Sequence, residues 1–350
     1  MKIIIATTMV PFVRGGAEVH AEGLRHALIA AGHEAEIVTI PFKWYPPERM
    51  LEQMLLCRLL DLTECSGDRV DLLIGLKFPA YYIPHPRKAL WILHQHRAAY
   101  DMWGHDYGDL HKFPNGRQIR EAIERADRTL LPEAQTIFAN SRNVAQRLKK
   151  YCGIDSEALY HPPPSAELYY SAEAEDYFFF PSRLTVVKRQ ELVLKALCHT
   201  RQPVQVRFMG IADEQTYTEE LHALCQKLGV QSKVQWLGNL SEAEKIKQYA
   251  KSLGVIYPPL DEDYGYVSLE AMLASKPLIT CTDSGGPLEF VASGEIGIAA
   301  EPTPESLGAA LDQLWQNRAK AHQMGKAGRD LYAGLGISWK NVARRLLSSP

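Results

Sequence analysis

The sequence predicts an α/β protein with two domains, and three observations lead to this prediction. Short apolar runs rich in β-branched residues, of which residues 2–7 are the first, alternate with segments of helical periodicity along the chain. Such alternation is typical of a parallel sheet whose strands are joined by crossover helices. The length of 350 residues favours two domains. A stiff His-Pro-Pro-Pro segment at residues 161–164 interrupts the pattern, so we place the boundary between Pro162 and Glu175.

Composition and charge limit the classes of partner. The chain is 46% hydrophobic with a net charge of −2, so it has no general electrostatic attraction to nucleic acid. Its six cysteines form no C-x-x-C pair, which favours reduced thiols in a cytoplasmic protein over a disulfide framework or zinc site. No apolar run reaches the length of a membrane span, so we expect at most peripheral contact with the inner face of a membrane. The basic segment at residues 142–150 is the candidate for that contact, although a solvated helix face explains it more simply.

The first half of the chain has the pattern of one parallel sheet. Strands are predicted at residues 2–7, 34–40, 70–76, 88–93 and 136–140, and helices at residues 17–31, 46–62, 117–128 and 142–151. The loop before the first helix contains Gly15 and Gly16. These glycines suit an anion bound at the helix N-terminus or, alternatively, a tight turn that requires glycine. Because the loop lacks the G-x-G-x-x-G pattern, it gives NAD binding little support.

Two histidines follow the strand predicted at residues 88–93. Residues two apart on an extended chain point the same way, so His94 and His96 can both face a ligand as polar catalytic contacts or as a metal pair. A structural role for both remains the alternative. The loop at residues 100–116 contains four aromatic residues and three glycines. It is long enough to cover a ligand, or it packs onto its own domain.

The second half continues the alternation of strands and helices. Strands are predicted at residues 177–181, 204–209, 233–237, 254–257 and 277–282. Helices are predicted at residues 214–228, 242–251, 267–275, 305–332 and 339–347. Two further helices are predicted, one that ends at residue 198 and one that begins at residue 287. The loops that follow parallel strands meet at one edge of the sheet, where ligands bind. Two cations, Arg183 and Lys188, lie in the first of these loops. They can neutralise a diphosphate without a metal, or they are ordinary surface charges.

Residues 254–276 contain a short buried strand, a Pro-Pro stop, an acidic loop and a helix. The N–H groups of Val267 and Ser268 open that helix, and together with the helix dipole they suit a phosphate. Gly265, just before the helix, lets the backbone approach a ligand closely. The stretch is therefore predicted to bind a phosphate-containing molecule.

Two carboxylates flank the start of this helix. Glu262 precedes it and Glu270 lies in its first turn, so both can face one pocket and bind hydroxyl groups. A phosphate on the amides with hydroxyl-rich groups on the carboxylates describes a nucleotide sugar. Alternatively, Glu270 complements the dipole of its own helix, and residues 261–263 hold Mg²⁺. Because exposed acidic loops are commoner than metal sites, we expect no metal here.

Four motifs, in this order and spacing, resemble those of the family-four retaining glycosyltransferases of the GT-B fold. Residues 15–18 are similar to the family's N-terminal glycine motif, and residues 182–189 to its Arg…Lys diphosphate clamp. Residues 258–270 are similar to its E-x₇-E motif, and residues 283–286 to the glycine turn that follows. The resemblance spans nearly the whole chain.

The resemblance implies two Rossmann-like domains that face each other across a cleft. Residues 1–165 would form the acceptor-side domain, and residues 175–333 would bind the nucleotide sugar. The last helix, within residues 338–350, would return to the first domain. The first domain is short for the family, which leaves the acceptor site compact or completed by the loop at residues 100–116.

The resemblance also implies roles for individual residues. Glu262 would bind the sugar hydroxyls and Glu270 the ribose, while Arg183 and Lys188 would stabilise the departing diphosphate. The catalytic set would be His94, Arg183, Lys188 and Glu262. The donor-binding set would be Gly15, Gly16, Gly210, Asn239, Leu240, Tyr264, Gly265, Tyr266, Val267, Ser268 and Glu270.

The predicted function is therefore transfer of a hexose, with retention, from a nucleotide sugar such as UDP-glucose to a saccharide or lipid-linked saccharide. No cofactor, no metal and no nucleic acid partner are expected. Three alternatives stay open: a sugar-nucleotide epimerase or hydrolase on the same fold, a nucleotide-sugar-binding partner without catalysis, and a metal hydrolase built on His94, His96 and residues 261–263.

Overall fold

The computed structural model describes residues 1–13, 15–212, 215–291 and 294–348. The chain divides into two compact units, of which unit 1 is Met1–Pro164 with Ile337–Pro350 and unit 2 is Ser165–Gly336. Residues 166–174, predicted to lie between the domains, belong to unit 2. Residue 214, predicted to begin a helix, and residues 349–350 lie outside the described residues.

Unit 1 is built on a parallel sheet. Its elements are β1 (Lys2–Met9), α1 (Gly16–Ala30), β2 (Glu34–Pro41), α2 (Glu48–Leu59), β3 (Glu64–Cys65), β4 (Asp68–Arg69), β5 (Leu72–Gly75), β6 (Lys88–Ile92), α3 (Gly116–Leu130), β7 (Thr136–Ala139), α4 (Arg142–Cys152) and β8 (Glu157–Ala158). The strand order is β2-β1-β5-β6-β7-β8, and β3 and β4 form a separate small hairpin. Side chains of β6 alternate between two core clusters, Leu90 and Ile92 in one and Ala89 and Trp91 in the other. Burial on both faces explains why the sequence shows a continuous apolar run.

Unit 2 contains a second six-stranded parallel sheet. Its elements are β9 (Phe178–Pro181), α5 (Gln190–Leu197), β10 (Val206–Met209), α6 (Gln215–Lys227), β11 (Val234–Trp236), α7 (Glu242–Lys251), β12 (Gly254–Ile256), α8 (Tyr266–Leu273), β13 (Leu278–Cys281), α9 (Leu288–Val291), β14 (Gly297–Ala300), α10 (Pro304–Gln316) and α11 (Arg318–Gly334). The strand order is β11-β10-β9-β12-β13-β14, so the order of connection reverses between β9 and β12. Ligands of open α/β sheets bind at such a reversal.

Two elements of unit 2 differ from the sequence prediction. The single helix predicted at residues 305–332 is two helices, because Asn317 caps α11 by accepting a hydrogen bond from the Lys320 N–H at 2.9 Å. Strand β14 was not predicted, since its Gly-Ile-Ala-Ala sequence has little β-branched character.

The last helix, α12 (Trp339–Leu347), lies in unit 1. Ser338 caps it by accepting a hydrogen bond from the Asn341 N–H. Its apolar face joins the core around α1, where a Cβ atom on Gly23 would overlap the Trp339 ring. Glycine at position 23 thus permits the close contact between α1 and α12. No helix in the described part of the chain is long and apolar enough to span a bilayer.

Two histidines are buried in this core. His20 of α1 and His161 are each 1% exposed, and Nδ1 of His20 lies 3.0 Å from Nε2 of His161, so one ring donates to the other. The rings contact Trp91 and Trp339, with the His20 and Trp91 centroids 4.0 Å apart. Burial lowers the pKa of His20 to about 3 and that of His161 well below its ordinary value. Both rings are therefore neutral at pH 7.

Unit 1 is expected to lose stability below pH 6.5. The pKa of His20 is lower in the folded chain than in the unfolded chain, so the unfolded chain binds more protons as the pH falls from 6.5 toward 3. Each proton that the unfolded chain binds and the folded chain does not lowers the free energy of unfolding by about 1.4 kcal/mol per pH unit in that window. Urea unfolding at pH 7.5, 6.5 and 5.5 measures this slope. His20→Asn should flatten the slope, and the exposed control His322→Gln should not; equal slopes in all three proteins would contradict the assignment.

Candidate active site

The strand reversal in unit 2 places two loops side by side. Strand β9 ends at Pro181, and the loop that follows contains Arg183 and Lys188. Strand β12 ends at Ile256, and the acidic loop containing Glu262 follows. Both loops lie at the carboxyl edge, as the sequence analysis expected for a ligand site.

Lys188 and Glu262 contact each other directly. The Lys188 ammonium donates to Oε2 of Glu262 and also to the Tyr257 hydroxyl, the latter at 2.8 Å. The Tyr257 hydroxyl in turn donates to Oε2 of Glu262 at 2.9 Å. Because the side chains of Lys188 and Glu262 remain 17% and 21% exposed, a ligand in solution can reach this cluster.

The glycine turn after β13 supports the acidic loop. The Glu262 N–H donates to the Ser284 carbonyl at 2.9 Å, and the Gly286 N–H donates to the Glu262 carbonyl at 2.8 Å. Arg189, next to Lys188, forms a bidentate pair with Asp283, with N–O distances of 2.7 and 2.6 Å. The three loops that follow β9, β12 and β13 are thereby joined into one unit.

Helix α8 begins directly after Gly265, whose φ of +76° explains why glycine is present. The prediction that the Ser268 N–H is available to a phosphate was wrong, because this N–H donates to the Gly265 carbonyl at 3.0 Å. Tyr266 and Val267 form the first turn, and the Tyr264 ring packs edge-to-face on Tyr266 at 5.5 Å. The helix therefore presents fewer amides than the sequence analysis expected.

Glu270 lies in the second turn of α8, one turn later than predicted, and is 5% exposed. Its carboxylate accepts hydrogen bonds from two residues of α7, Lys245 at 3.1 Å and Tyr249 at 2.5 Å. It thus binds a neighbouring helix, and the alternative that it serves its own helix dipole is wrong.

Burial, with the charges of Glu262 and Glu270, raises the pKa of Tyr257 well above its ordinary value. Both glutamates of the motif therefore lie around Tyr257.

Arg183 is exposed at the edge of the same site. Its backbone is held by the buried Gln190 side chain, which donates to the Arg183 carbonyl at 2.9 Å. Gly210 lies against this loop, where a Cβ atom would overlap the Ser182 carbonyl oxygen. Glycine at position 210 is required by this contact between backbones, apart from any contact with a donor.

The loops after β10 and β11 also meet at this edge. The Gly210 N–H donates to the Gly238 carbonyl at 2.8 Å. Asn239 is exposed and Leu240 is half-buried, and both precede the Ser241 cap of α7. The structure therefore gathers the predicted donor-binding residues of unit 2 along one edge of one sheet.

In unit 1, Gly15, Gly16 and His94 also follow the carboxyl ends of strands. Gly15 has an extended backbone with φ of −154°, so the alternative that this turn requires glycine is not supported for Gly15. Its N–H donates to the Glu18 carboxylate at 2.7 Å. The Nδ1–H of His94 donates to the Gln95 carbonyl at 2.7 Å, which fixes the ring.

His96 differs from His94 in its surroundings. Its ring packs on Phe78 and Phe42, with centroid distances of 5.1 and 6.2 Å. Burial lowers the pKa of His96 to about 4, so the ring is neutral. Within the described residues, no group of three or more His, Cys, Asp or Glu side chains is arranged to hold a metal ion.

Several site residues were not predicted from the sequence. Tyr257 was assigned to the buried strand, and Lys245 and Tyr249 were assigned only to the helix predicted at residues 242–251. Arg189 and Asp283 were quoted as parts of motifs without a partner. A tyrosine at the end of an apolar strand is a signal that could have drawn attention to Tyr257, whereas the pairing of residues far apart in the chain has no local signal.

Residues 169–331 match the family model described as glycosyl transferases group 1. Residues 169–331 belong to this family. The match covers nearly all of unit 2 and includes both glutamates of the acidic loop and helix. The recognition of a glycosyltransferase from its motifs is therefore confirmed, and the edge described above lies within the matched residues.

Comparisons over the full length agree. The chain is 22% identical to an uncharacterized glycosyltransferase of Methanocaldococcus jannaschii, over 99% of this chain and 97% of the relative. The structure resembles sucrose-phosphate synthase from Thermosynechococcus elongatus, with a TM-score of 0.78, 16% identity and coverage of 99% and 97%. It also resembles Anabaena HepE in complex with UDP-glucose, with a TM-score of 0.71, 17% identity and coverage of 100% of both chains. At these identities the structural likeness shows the fold, and the predicted GT-B fold of this glycosyltransferase is confirmed.

Proposed function

We propose that the protein is a retaining glycosyltransferase that moves a hexose from a UDP-sugar, UDP-glucose or a similar donor, to a saccharide or lipid-linked saccharide in the cytoplasm. The observation that carries this proposal is the Lys188–Glu262 pair on Tyr257 at the strand reversal of unit 2. The likeness to HepE, whose structure contains UDP-glucose, supports the choice of donor. Neither a metal nor a cofactor has a role in the proposed reaction.

The reaction breaks the bond between the anomeric carbon and the diphosphate and forms a bond from that carbon to an acceptor oxygen. Negative charge grows on the diphosphate while positive charge grows on the sugar. Lys188 and Arg183 stabilise the first charge, and the Glu262 carboxylate orients the sugar and offsets the second. The departing phosphate oxygen takes the acceptor proton on the same face, which gives retention without a protein nucleophile. His94 contacts the sugar near the anomeric carbon.

The remaining residues bind the donor. Glu270 accepts hydrogen bonds from the ribose hydroxyls, using lone pairs other than those taken by Lys245 and Tyr249. The first turn of α8 and the loop at Gly15 and Gly16 bind phosphate. The base lies against the loops that contain Gly210, Asn239 and Leu240.

The donor is tested by calorimetric titration in EDTA with UDP, UDP-glucose, GDP-mannose and NAD⁺. We expect micromolar binding of one sugar nucleotide. Glu270→Ala should weaken that binding by about 10- to 150-fold, because it removes a charge-assisted hydrogen bond to ribose worth roughly 1.5–3 kcal/mol.

The matched control is Glu219→Ala, which removes an exposed carboxylate from α6 in the same unit and should leave affinity unchanged. Binding of NAD⁺ alone, or of no compound until metal is added, would overturn the proposal. Product analysis with and without acceptor then separates transfer from hydrolysis or epimerisation. Binding without any turnover would identify a non-catalytic partner.

A further inference from the structure

Tyr257 is a buried side chain of the donor edge. It follows β12 directly and is 3% exposed. Its N–H donates to the Ile279 carbonyl at 2.8 Å, and its carbonyl accepts from the Thr280 hydroxyl at 2.7 Å. On the other side, a Cβ atom on Gly265 would lie 3.2 Å from the Tyr257 ring. The backbone of Tyr257 is therefore fixed within the sheet, and its ring is enclosed.

The hydroxyl of this rigid ring joins two flexible side chains. It accepts from Lys188 at 2.8 Å and donates to Glu262 at 2.9 Å, while Lys188 and Glu262 also bind each other. Burial and the nearby carboxylates raise the pKa of Tyr257, so the phenol keeps its proton and remains a donor. Three hydrogen bonds thus close a cycle in which the tyrosine contributes an enclosed ring, whereas the Lys188 and Glu262 side chains remain 17% and 21% exposed.

We propose that Tyr257 is a positioning residue that sets the Lys188 ammonium and the Glu262 carboxylate at fixed places for the transfer step. This inference rests on the proposed function, in which one group faces the diphosphate and the other the sugar. An ion pair between two long side chains can form in many geometries, and each of these side chains loses rotamer freedom when it is fixed. A misplacement of about 1 Å can cost on the order of 100-fold in rate.

Tyr177, another buried tyrosine of unit 2, shows what a structural role looks like. Tyr177, also fully buried, donates its hydroxyl to a backbone oxygen, that of Gln248 at 2.9 Å. It precedes β9 and so lies at the amino edge of the sheet, away from the donor loops. Tyr257 instead uses both functions of its hydroxyl on groups of the reaction site.

The test compares Tyr257→Phe with Tyr177→Phe, since each removes one buried hydroxyl from the same unit. We expect Tyr257→Phe to lower kcat by about 10- to 100-fold with the donor KM changed less than about 3-fold. Tyr177→Phe should keep kcat within about 2-fold, although both variants lose some thermal stability. A purely structural role for Tyr257 predicts similar kcat values in the two variants.

A double-mutant cycle gives an independent readout. If Tyr257 acts through Lys188 and Glu262, adding Tyr257→Phe to Lys188→Ala should lower kcat less than about 3-fold further. An unchanged kcat in Tyr257→Phe alone, or equal effects in both backgrounds, would overturn the inference. If the wild type turned over no nucleotide sugar, the proposed function would be overturned instead. If Lys188→Ala lowered kcat and Tyr257→Phe did not, only the inference about Tyr257 would be overturned.

Discussion

Lys188→Ala is expected to lower kcat by about 100- to 1,000-fold, the usual cost of removing one fixed group that stabilises charge in a transition state. Lys188 lies where the diphosphate departs in the proposed reaction, and its charge acts most strongly as the bond breaks. Part of the loss will appear in the donor KM, because the Glu262 carboxylate, left without the Lys188 cation, would repel the negatively charged donor. Initial rates at saturating acceptor, with donor varied, separate kcat from KM.

The matched control for this prediction is Lys195→Ala. Lys195 belongs to the next helix, α5, where it pairs with Glu191 on the exposed surface. Its removal takes away the same charge and should leave both kinetic parameters unchanged. If Lys188→Ala raised KM and left kcat intact, Lys188 would be a ground-state binding group. Arg183 would then be the residue that stabilises the departing diphosphate.

Asp127→Ala is expected to lower the free energy of unfolding by about 3–5 kcal/mol. Asp127 lies on α3 and is fully buried, with three phenols donating to its carboxylate. The hydroxyls of Tyr82 and Tyr100 lie 2.6 Å from its oxygens, and that of Tyr81 lies at 3.1 Å. Burial raises the pKa of Asp127, and the phenol hydrogen bonds oppose that shift. Removing the carboxylate takes the acceptor away from all three donors at once.

Graded substitutions test whether the carboxylate organises this cluster. Tyr82→Phe removes one donor and leaves the acceptor paired, so it should cost only about 1 kcal/mol. The exposed control Asp106→Ala should cost less than about 0.5 kcal/mol. Urea unfolding with one probe in each unit is needed, because two units can unfold separately. Equal costs for Asp127→Ala and Tyr82→Phe would contradict the central role of Asp127.

Much of the fold could be predicted because the relevant interactions are local. Apolar runs with Pro or Gly at their ends predicted most of the strands of both sheets, and Ser141 and Ser241 cap α4 and α7 as local capping chemistry predicts. Strand β14, with the sequence Gly-Ile-Ala-Ala, was not predicted, because its pairing with β13 leaves no pattern in the sequence. The break between α10 and α11 at Asn317 was not predicted, because the helical periodicity continues on either side of it.

The candidate site was predicted in its residues more than in its contacts. Lys188 and Glu262 were chosen for their position after strands and Glu270 for its position near the start of a helix, and the structure places all three around one edge. The prediction that the Ser268 N–H is available to a ligand was wrong, because this N–H donates to the Gly265 carbonyl. Their roles in catalysis and donor binding stay predictions until the variants above are measured.

The alternation of strands and helices and the chemical groups at the strand ends follow from the sequence, because they depend on neighbours a few residues apart. Which of these groups meet depends on the folded structure. Glu270 pairs with Lys245, 25 residues away, and Lys188 with Glu262, 74 residues away. Such pairs follow from the order of strands in the sheet, and that order depends on the packing of the whole unit.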